Sequence, residues 1–195
     1  MLAGGLMPDD LFNKIKNYIN TDLKVKFNYD LAGNIKKEYE LFEYKKEIEE
    51  FIIDIIKKSN KFPNILDKVI TKAEKINPPL VLDKLWVNFQ RKHEFNPTHT
   101  HSGVFSFILF MQLPFDIDEQ TKNSPGIESN CDCAASLEFL FLDHEGTITP
   151  YRFKPDRTWE KKCLVFSATT PHCVYPFYGV DDYRITISGN LVYDF

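Results

Sequence analysis

No run of about eighteen apolar residues occurs in this chain, so nothing in it reads as a membrane-spanning helix. A sustained basic stripe is missing too. The 24 Lys and Arg are outnumbered by 28 Asp and Glu, for a net charge of -4, which removes the usual electrostatic footing for long nucleic acid. The lysines between Lys36 and Lys58 are interleaved with glutamates and read as a solvated helix face. There is no glycine-rich phosphate loop, no nucleotide fingerprint and no Ser-His-Asp arrangement. Cysteine is scarce, at four. Cys131-Asp-Cys133 cannot readily bridge itself and has no second pair to complete a zinc site, while Cys163 and Cys173 sit in apolar, strand-like sequence, so four free thiols are expected. The start of the chain lacks the positive region of a signal peptide, and the expected location is the cytoplasm.

What is present fits one domain over 1–195, with a helix-rich part at 1–78 and a β-rich core at 79–195. Leu11, Phe12, Ile15, Tyr18 and Ile19 share one face of a helix over 9–20. A hairpin is expected from Leu23 to about Tyr44 around the turn at Asp30–Asn34, then helices over 45–58 and roughly 63–75, until Asn77-Pro78-Pro79 ends helical sequence. From Leu85 onward short apolar strands follow one another: Leu85–Gln90, Val104–Leu113, Leu137–Asp143, Thr147–Phe153, Lys162–Ser167, His172–Pro176 and Tyr183–Val192. No helix separates them, which points to an antiparallel sandwich or barrel. The polar insert at 115–135 reads as a mobile surface loop.

Chemistry concentrates in two strand segments and one turn. In His99-Thr100-His101 the i, i+2 spacing puts both imidazoles on one strand face. His172 follows Thr170-Pro171 at a tight turn that can deliver it from the opposite sheet. Three neutral imidazoles suit iron(II), zinc, copper or nickel. On octahedral iron they leave three positions, enough for a bidentate 2-oxo acid and dioxygen. A plain polar rim also fits the pair, and a turn cap fits His172. In Tyr183-Arg-Ile-Thr-Ile-Ser-Gly-Asn190, Arg184, Thr186 and Ser188 share a face opposite Ile185 and Ile187. That is either an edge strand facing solvent or a polar face lining a barrel, where arginine grips a carboxylate bidentately and the hydroxyls assist. Burial of Arg184 separates the two. Phe105, Phe107, Phe139, Phe141 and Tyr151 are candidate pocket walls or plain core.

Trp86-Val-Asn88, Asn96-Pro-Thr-His-Thr-His-Ser-Gly103, Phe166-Ser-Ala-Thr-Thr-Pro-His172, Tyr175-Pro-Phe-Tyr178 and Arg184-Ile-Thr-Ile-Ser-Gly-Asn190 together resemble the iron(II)- and 2-oxoglutarate-dependent oxygenases. The likeness covers roughly 80–195 and leans towards the uncharacterised, phage-like and marine bacterial group. The resemblance implies a mainly β fold with α, a double-stranded β-helix (jelly roll, cupin-like), with the N-terminal helical layer packed outside. It implies His172 as the distal metal ligand, Arg184 on the distal carboxylate of 2-oxoglutarate with Thr186 as hydroxyl helper, and His99, His101 or both as the first ligand motif. It also implies hydroxylation of an unidentified substrate with release of succinate and CO2. Most of the superfamily carries His-x-Asp or His-x-Glu where this chain has His-x-His. The favoured set is therefore His99, His101 and His172, with a two-histidine site or a carboxylate from Asp143 or Glu145 as alternatives. The expected cofactors are Fe(II) and the cosubstrate 2-oxoglutarate, with dioxygen as second cosubstrate, and Arg184, Thr186 and Ser188 as the cofactor-binding face. The chain is expected to have no membrane partner and no nucleic-acid partner, with a homodimer left open. Two other readings stand beside this one: a three-histidine cupin-type metal dioxygenase that does not use 2-oxoglutarate, and a non-catalytic jelly-roll binding module.

Overall fold

Strands that alternate their side chains between two faces build two antiparallel sheets in the computed structural model, which describes residues 2–21, 23, 25–59 and 78–194. The strands are β1 (Leu2–Leu6), β2 (Lys37–Glu40), β3 (Leu80–Gln90), β4 (Asn96–His99), β5 (Phe105–Gln112), β6 (Leu137–Leu142), β7 (Ile148–Phe153), β8 (Lys162–Ser167), β9 (His172–Val174) and β10 (Arg184–Tyr193). The larger sheet runs β1-β8-β5-β10-β3-β2 and the smaller β4-β9-β6-β7. From β3 to β10 the chain crosses between the sheets at every step except β6 to β7. This is a double-stranded β-helix, with β1 and β2 added at the two edges of the larger sheet.

Strand parity explains how one sheet serves two cores. On β5, Phe105, Phe107, Leu109 and Met111 face outwards, where the helices α1 (Asp9–Ile19) and α2 (Lys45–Lys58) cover them. Phe12, Ile15 and Ile19 on α1, and Ile48, Ile52, Ile55 and Ile56 on α2, recur at helical spacing and close that layer. Each fully buried side chain of this size contributes roughly 1.5–3 kcal/mol. Ile108 and Phe110 point the other way, between the sheets, with Leu137, Phe139, Phe166 and Phe177. The same parity on β10 sends Ile185 and Ile187 to the helices and leaves Arg184, Thr186 and Ser188 facing the barrel interior.

Two expectations, the hairpin and the loop at 115–135, meet an outcome that differs in part. The arms of the expected hairpin meet at the Lys26–Tyr39 bridge, with the Phe27 amide on the Glu38 carbonyl and the Glu40 amide on the Val25 carbonyl, both at 2.9 Å, and the second arm also pairs along its length with β3. The helix expected over 63–75 lies outside the described residues. The insert at 115–135 is anchored rather than a free loop. It contains a short helix, α3 (Ile117–Asn123), and Phe115 is fully buried. The buried Gln120 donates to the Tyr178 carbonyl at 2.9 Å and accepts from the Tyr178 amide at 2.7 Å. A polar composition hid two anchors. Among the described residues no helix is long and apolar enough to cross a membrane.

Candidate metal centre and its pocket

The turn at Ser102-Gly103 ends the histidine strand and reverses the chain into β5. Gly103 has φ +103°, and a Cβ there would lie 2.7 Å from the Leu191 carbonyl oxygen, so the reversal needs glycine. His99 stands opposite His172 in the β4–β9 ladder. His101 is fixed by its own amide, which donates to the Ala168 carbonyl at 2.8 Å in the turn before His172. One ligand atom from each of His99, His101 and His172 lies within 4.8 Å of the others. Ring centroids are 4.4 Å apart for His99 and His172, 4.8 Å for His99 and His101, and 5.1 Å for His101 and His172.

Tautomers follow from the hydrogen bonds. His99 Nδ1 lies 2.7 Å from the Pro97 carbonyl oxygen and His172 Nδ1 3.0 Å from that of Thr170. A carbonyl only accepts, so both Nδ1 atoms donate, leaving each Nε2 with a free lone pair. His172 is buried, with Phe139 stacked on it at 5.6 Å and Phe166 edge-on at 4.8 Å, while Trp86 lies 5.7 Å from His101. Burial, then repulsion from His172 and His99, lowers the pKa of His101 to about 3. Burial and then His99 lower that of His172 to about 4. Both rings are neutral at physiological pH, the state a metal requires.

The histidines share one pocket with the polar face of β10. Arg184 is only 2% exposed. Its Nε donates to Gln90 Oε1 at 2.8 Å, Nη1 to the Ala135 carbonyl at 2.9 Å and Nη2 to the Tyr175 carbonyl at 2.8 Å. All three acceptors are neutral, and no carboxylate pairs with Arg184 among the described residues. Burial lowers its pKa from 12.5 to about 9. Thr186 accepts from Asn88 Nδ2 at 3.2 Å, and Ser188 stands opposite Trp86 in the β10–β3 ladder. Arg184, Thr186 and Ser188 thus form successive rungs leading towards the histidines.

Other sequence candidates fall elsewhere. Asp143 and Glu145 lie in the exposed β6–β7 turn, where Asp143 Oδ1 accepts from the amides of Glu145 and Thr147 at 2.9 Å. No carboxylate joins the histidine cluster among the described residues. Of the five aromatic candidates, Phe139 packs on His172, Phe107 lines the pocket as well as the core under the helices, Phe105 belongs to that core alone, and Tyr151 is exposed. The four cysteines are free thiols.

Glu38 was not singled out from the sequence. It is 1% exposed and lines the pocket from β2. In the ladders it stands opposite Asn88, and Asn88 opposite Thr186, so the three form one row across β2, β3 and β10. Burial, then the charge of Glu94, raises its pKa from 4.5 to about 7, partly offset by a hydrogen bond from Asn28 Nδ2 at 3.1 Å. Nothing local marks Lys37-Glu38-Tyr39-Glu40 as buried. The burial comes from pairing with β3 and from residues 31–35, which cross the pocket wall and are latched by the Asn34 amide to the Phe95 carbonyl at 2.8 Å.

No family model and no curated protein matches the sequence. Among solved structures, a Pseudomonas putida prolyl-4-hydroxylase aligns with 99% of this chain and 92% of its own, at 11% identity and a TM-score of 0.58. An oxidoreductase of the 2OG-Fe(II) oxygenase family from Burkholderia pseudomallei aligns with 73% of this chain and 55% of its own, at 16% identity and a TM-score of 0.41. The first of these shares the fold.

Proposed function

We propose that the chain is an iron(II)- and 2-oxoglutarate-dependent oxygenase that hydroxylates a substrate C–H, with overall balance substrate-H plus 2-oxoglutarate plus dioxygen giving substrate-OH, succinate and CO2. The observation that carries this reading is Arg184: a buried cation with no anionic partner among the described residues, in the same pocket as three converging imidazoles. An unpaired buried charge is costly, and a ligand carboxylate is the missing partner. The name of the Pseudomonas structure that shares the fold is consistent with this class.

The donor set suits the metal. His99, His101 and His172 would hold iron(II), with the Nδ1 bonds of His99 and His172 setting ring orientation. Iron bound there supplies the centre at which dioxygen and the 2-oxo acid react. Arg184 binds the distal carboxylate, using N–H groups beyond the three already engaged, and the Thr186 hydroxyl adds a hydrogen bond. Ser188 extends the same polar face nearer the metal. Phe139, Phe166 and Trp86 keep water from the histidines. The absence of a carboxylate from the cluster among the described residues favours a second reading, a cupin-type dioxygenase independent of 2-oxoglutarate.

Anaerobic titration with iron(II) and then 2-oxoglutarate tests the choice. A visible charge-transfer band that needs both, and is lost in Arg184→Ala and His172→Ala, supports the oxygenase. Metal binding without any response to 2-oxoglutarate leaves the cupin-type reading, and no metal binding by folded protein leaves a binding module.

A further inference from the structure

The described residues include two buried acids, Glu38 and Glu138. Glu138 has its cation, Arg152, and a further hydrogen bond from the Tyr175 hydroxyl at 3.3 Å. Glu38 has no cation partner among the described residues. It is bonded by the neutral Asn28 amide and faces the pocket beside other acceptors. Asn88, 5% exposed, places its Oδ1 in the pocket wall with no hydrogen-bond partner, and Asn96 Oδ1 is likewise buried without one. Glu38 Oε1 and Asn96 Oδ1 flank the same backbone position, since a Cβ on Gly33 would lie within 2.8 Å of both. The result is a group of oxygens from β2, β3 and the start of β4, gathered under residues 31–35, to which Asn28 Nδ2, on Glu38, is the one donor among the described residues.

We propose that this acceptor cluster seats a donor-only cation, an ammonium or guanidinium group carried by the prime substrate. Such groups donate in several directions and present no lone pair that would need a donor in return. A carboxylate or phosphate is repelled there and is drawn instead to Arg184, the one lysine or arginine in the pocket wall among the described residues. The two ends of the pocket therefore sort ligands by charge. The Glu38–Asn88–Thr186 row puts the cation seat one rung from Arg184 and one rung from Ser188 and Trp86, and Trp86 packs against His101. That placement holds a substrate beside the reacting centre rather than on it. As a substrate seat it rests on the oxygenase reading, whereas its chemistry as a cation site does not.

Binding of N-butylguanidinium and N-butylammonium to the full chain, metal-free and loaded with zinc(II) and 2-oxoglutarate, is compared with N-butylurea, a neutral isostere of the guanidinium, by ligand-observed NMR. Both cations are expected to bind at least about tenfold more tightly than the urea, the step of one charge-assisted contact. The preference should grow from pH 5 to pH 8 as Glu38 ionises. Glu94 is the titratable neighbour that acts on Glu38, and Arg184 and the three histidines are the other charged or titratable groups of the pocket wall. Glu38→Gln should abolish the preference. Gly33→Ala, which keeps the carboxyl but pushes its oxygen and that of Asn96 apart, should weaken it. Failure of the cations to bind, urea binding equally well, or a preference that survives in Glu38→Gln overturns the proposal. The iron and 2-oxoglutarate band is read on the same samples. A band without cation binding sinks the cation seat alone, and cation binding without a band sinks the oxygenase while the cation site stands.

Discussion

Replacing Arg184 by methionine tests the central assignment quantitatively. The guanidinium is held at 2% exposure by three neutral acceptors, and burial lowers its pKa from 12.5 to about 9. At about 1.4 kcal/mol per pKa unit, the fold bears a penalty of about 5 kcal/mol for keeping that charge. A ligand carboxylate offsets part of it. Removing one partner of a buried ion pair costs about 3–5 kcal/mol, which corresponds to between about a hundredfold and a few thousandfold in affinity. The same substitution also strips donors from Gln90, Ala135 and Tyr175 and lowers stability, so affinity for 2-oxoglutarate alone would not isolate the carboxylate contact. A second acid removes that ambiguity. 2-Oxopentanoate has the same carbon chain and 2-oxo acid end but no distal carboxylate. Anaerobic titrations of both acids against the iron-loaded wild type and Arg184→Met complete a double-mutant cycle in which one change is in the ligand. The expected result is a loss of about a hundredfold or more for 2-oxoglutarate and less than about threefold for 2-oxopentanoate. Arg184→Lys should fall between, since a point charge cannot reproduce the planar fork. Equal losses for the two acids would refute the reasoning and reduce Arg184 to a brace for Gln90, Ala135 and Tyr175.

Two further outcomes follow from the buried titratable groups. His101 and His172 are deprotonated above about pH 4, so neither should make metal affinity fall between pH 7.5 and 5.5. Two ordinary histidines would produce a drop of about a hundredfold over that range, and a drop of that size in zinc(II) titrations would contradict the burial argument. Glu38 has a folded pKa raised from 4.5 to about 7, so the stability associated with its neutral form is complete below pH 4.5 and is lost as pH rises towards 7 and above. Glu38→Gln should remove this loss and gain up to about 3 kcal/mol relative to wild type on going from pH 4.5 to pH 8, measured by denaturant unfolding; a difference between the two proteins that does not change with pH would show that Glu38 ionises freely.

Period-two patterns carried far in the sequence. The i, i+2 spacing of His99 and His101, the turn before His172 and the alternation of Arg184, Thr186 and Ser188 with Ile185 and Ile187 are local features, and strand geometry alone sets which face each takes. The helices over α1 and α2 were legible for the same reason at a different period. Glu38 was not. Its segment looks like any solvated Lys-Glu stretch, and only pairing with β3, some fifty residues away in sequence, turns it inwards under residues 31–35. Gln120 and Phe115 escaped in the same way, because one amide meeting one backbone and one ring filling one gap leave no periodic trace. Two-sided β5 shows the opposite limit: its unbroken apolar run is visible at once, but the run cannot say which residues face the helices and which face the barrel.

The charges of the pocket make sense only as a set. Where most relatives suggested by the motif resemblance place a carboxylate on the metal, this chain presents a third neutral imidazole, so a bound divalent ion keeps its full charge. Arg184 adds a second source of positive potential in the same wall, and both favour a dianionic acid over a neutral one. With metal, arginine and dianion in place, the wall would retain a surplus of positive charge. Among the described residues Glu38 is the sole acid in the pocket lining, and with its pKa raised to about 7 it is about half protonated at neutral pH. Positive charge entering the pocket favours its ionised form and moves its pKa down towards the ordinary carboxyl range. On the proposed reading, an acid half protonated at neutral pH would become fully ionised once the other components were bound, when a cationic substrate group would need it. On the same reading, the third imidazole in place of a metal carboxylate and the buried Glu38 are complementary: negative charge would sit on the substrate side of the pocket rather than on the metal.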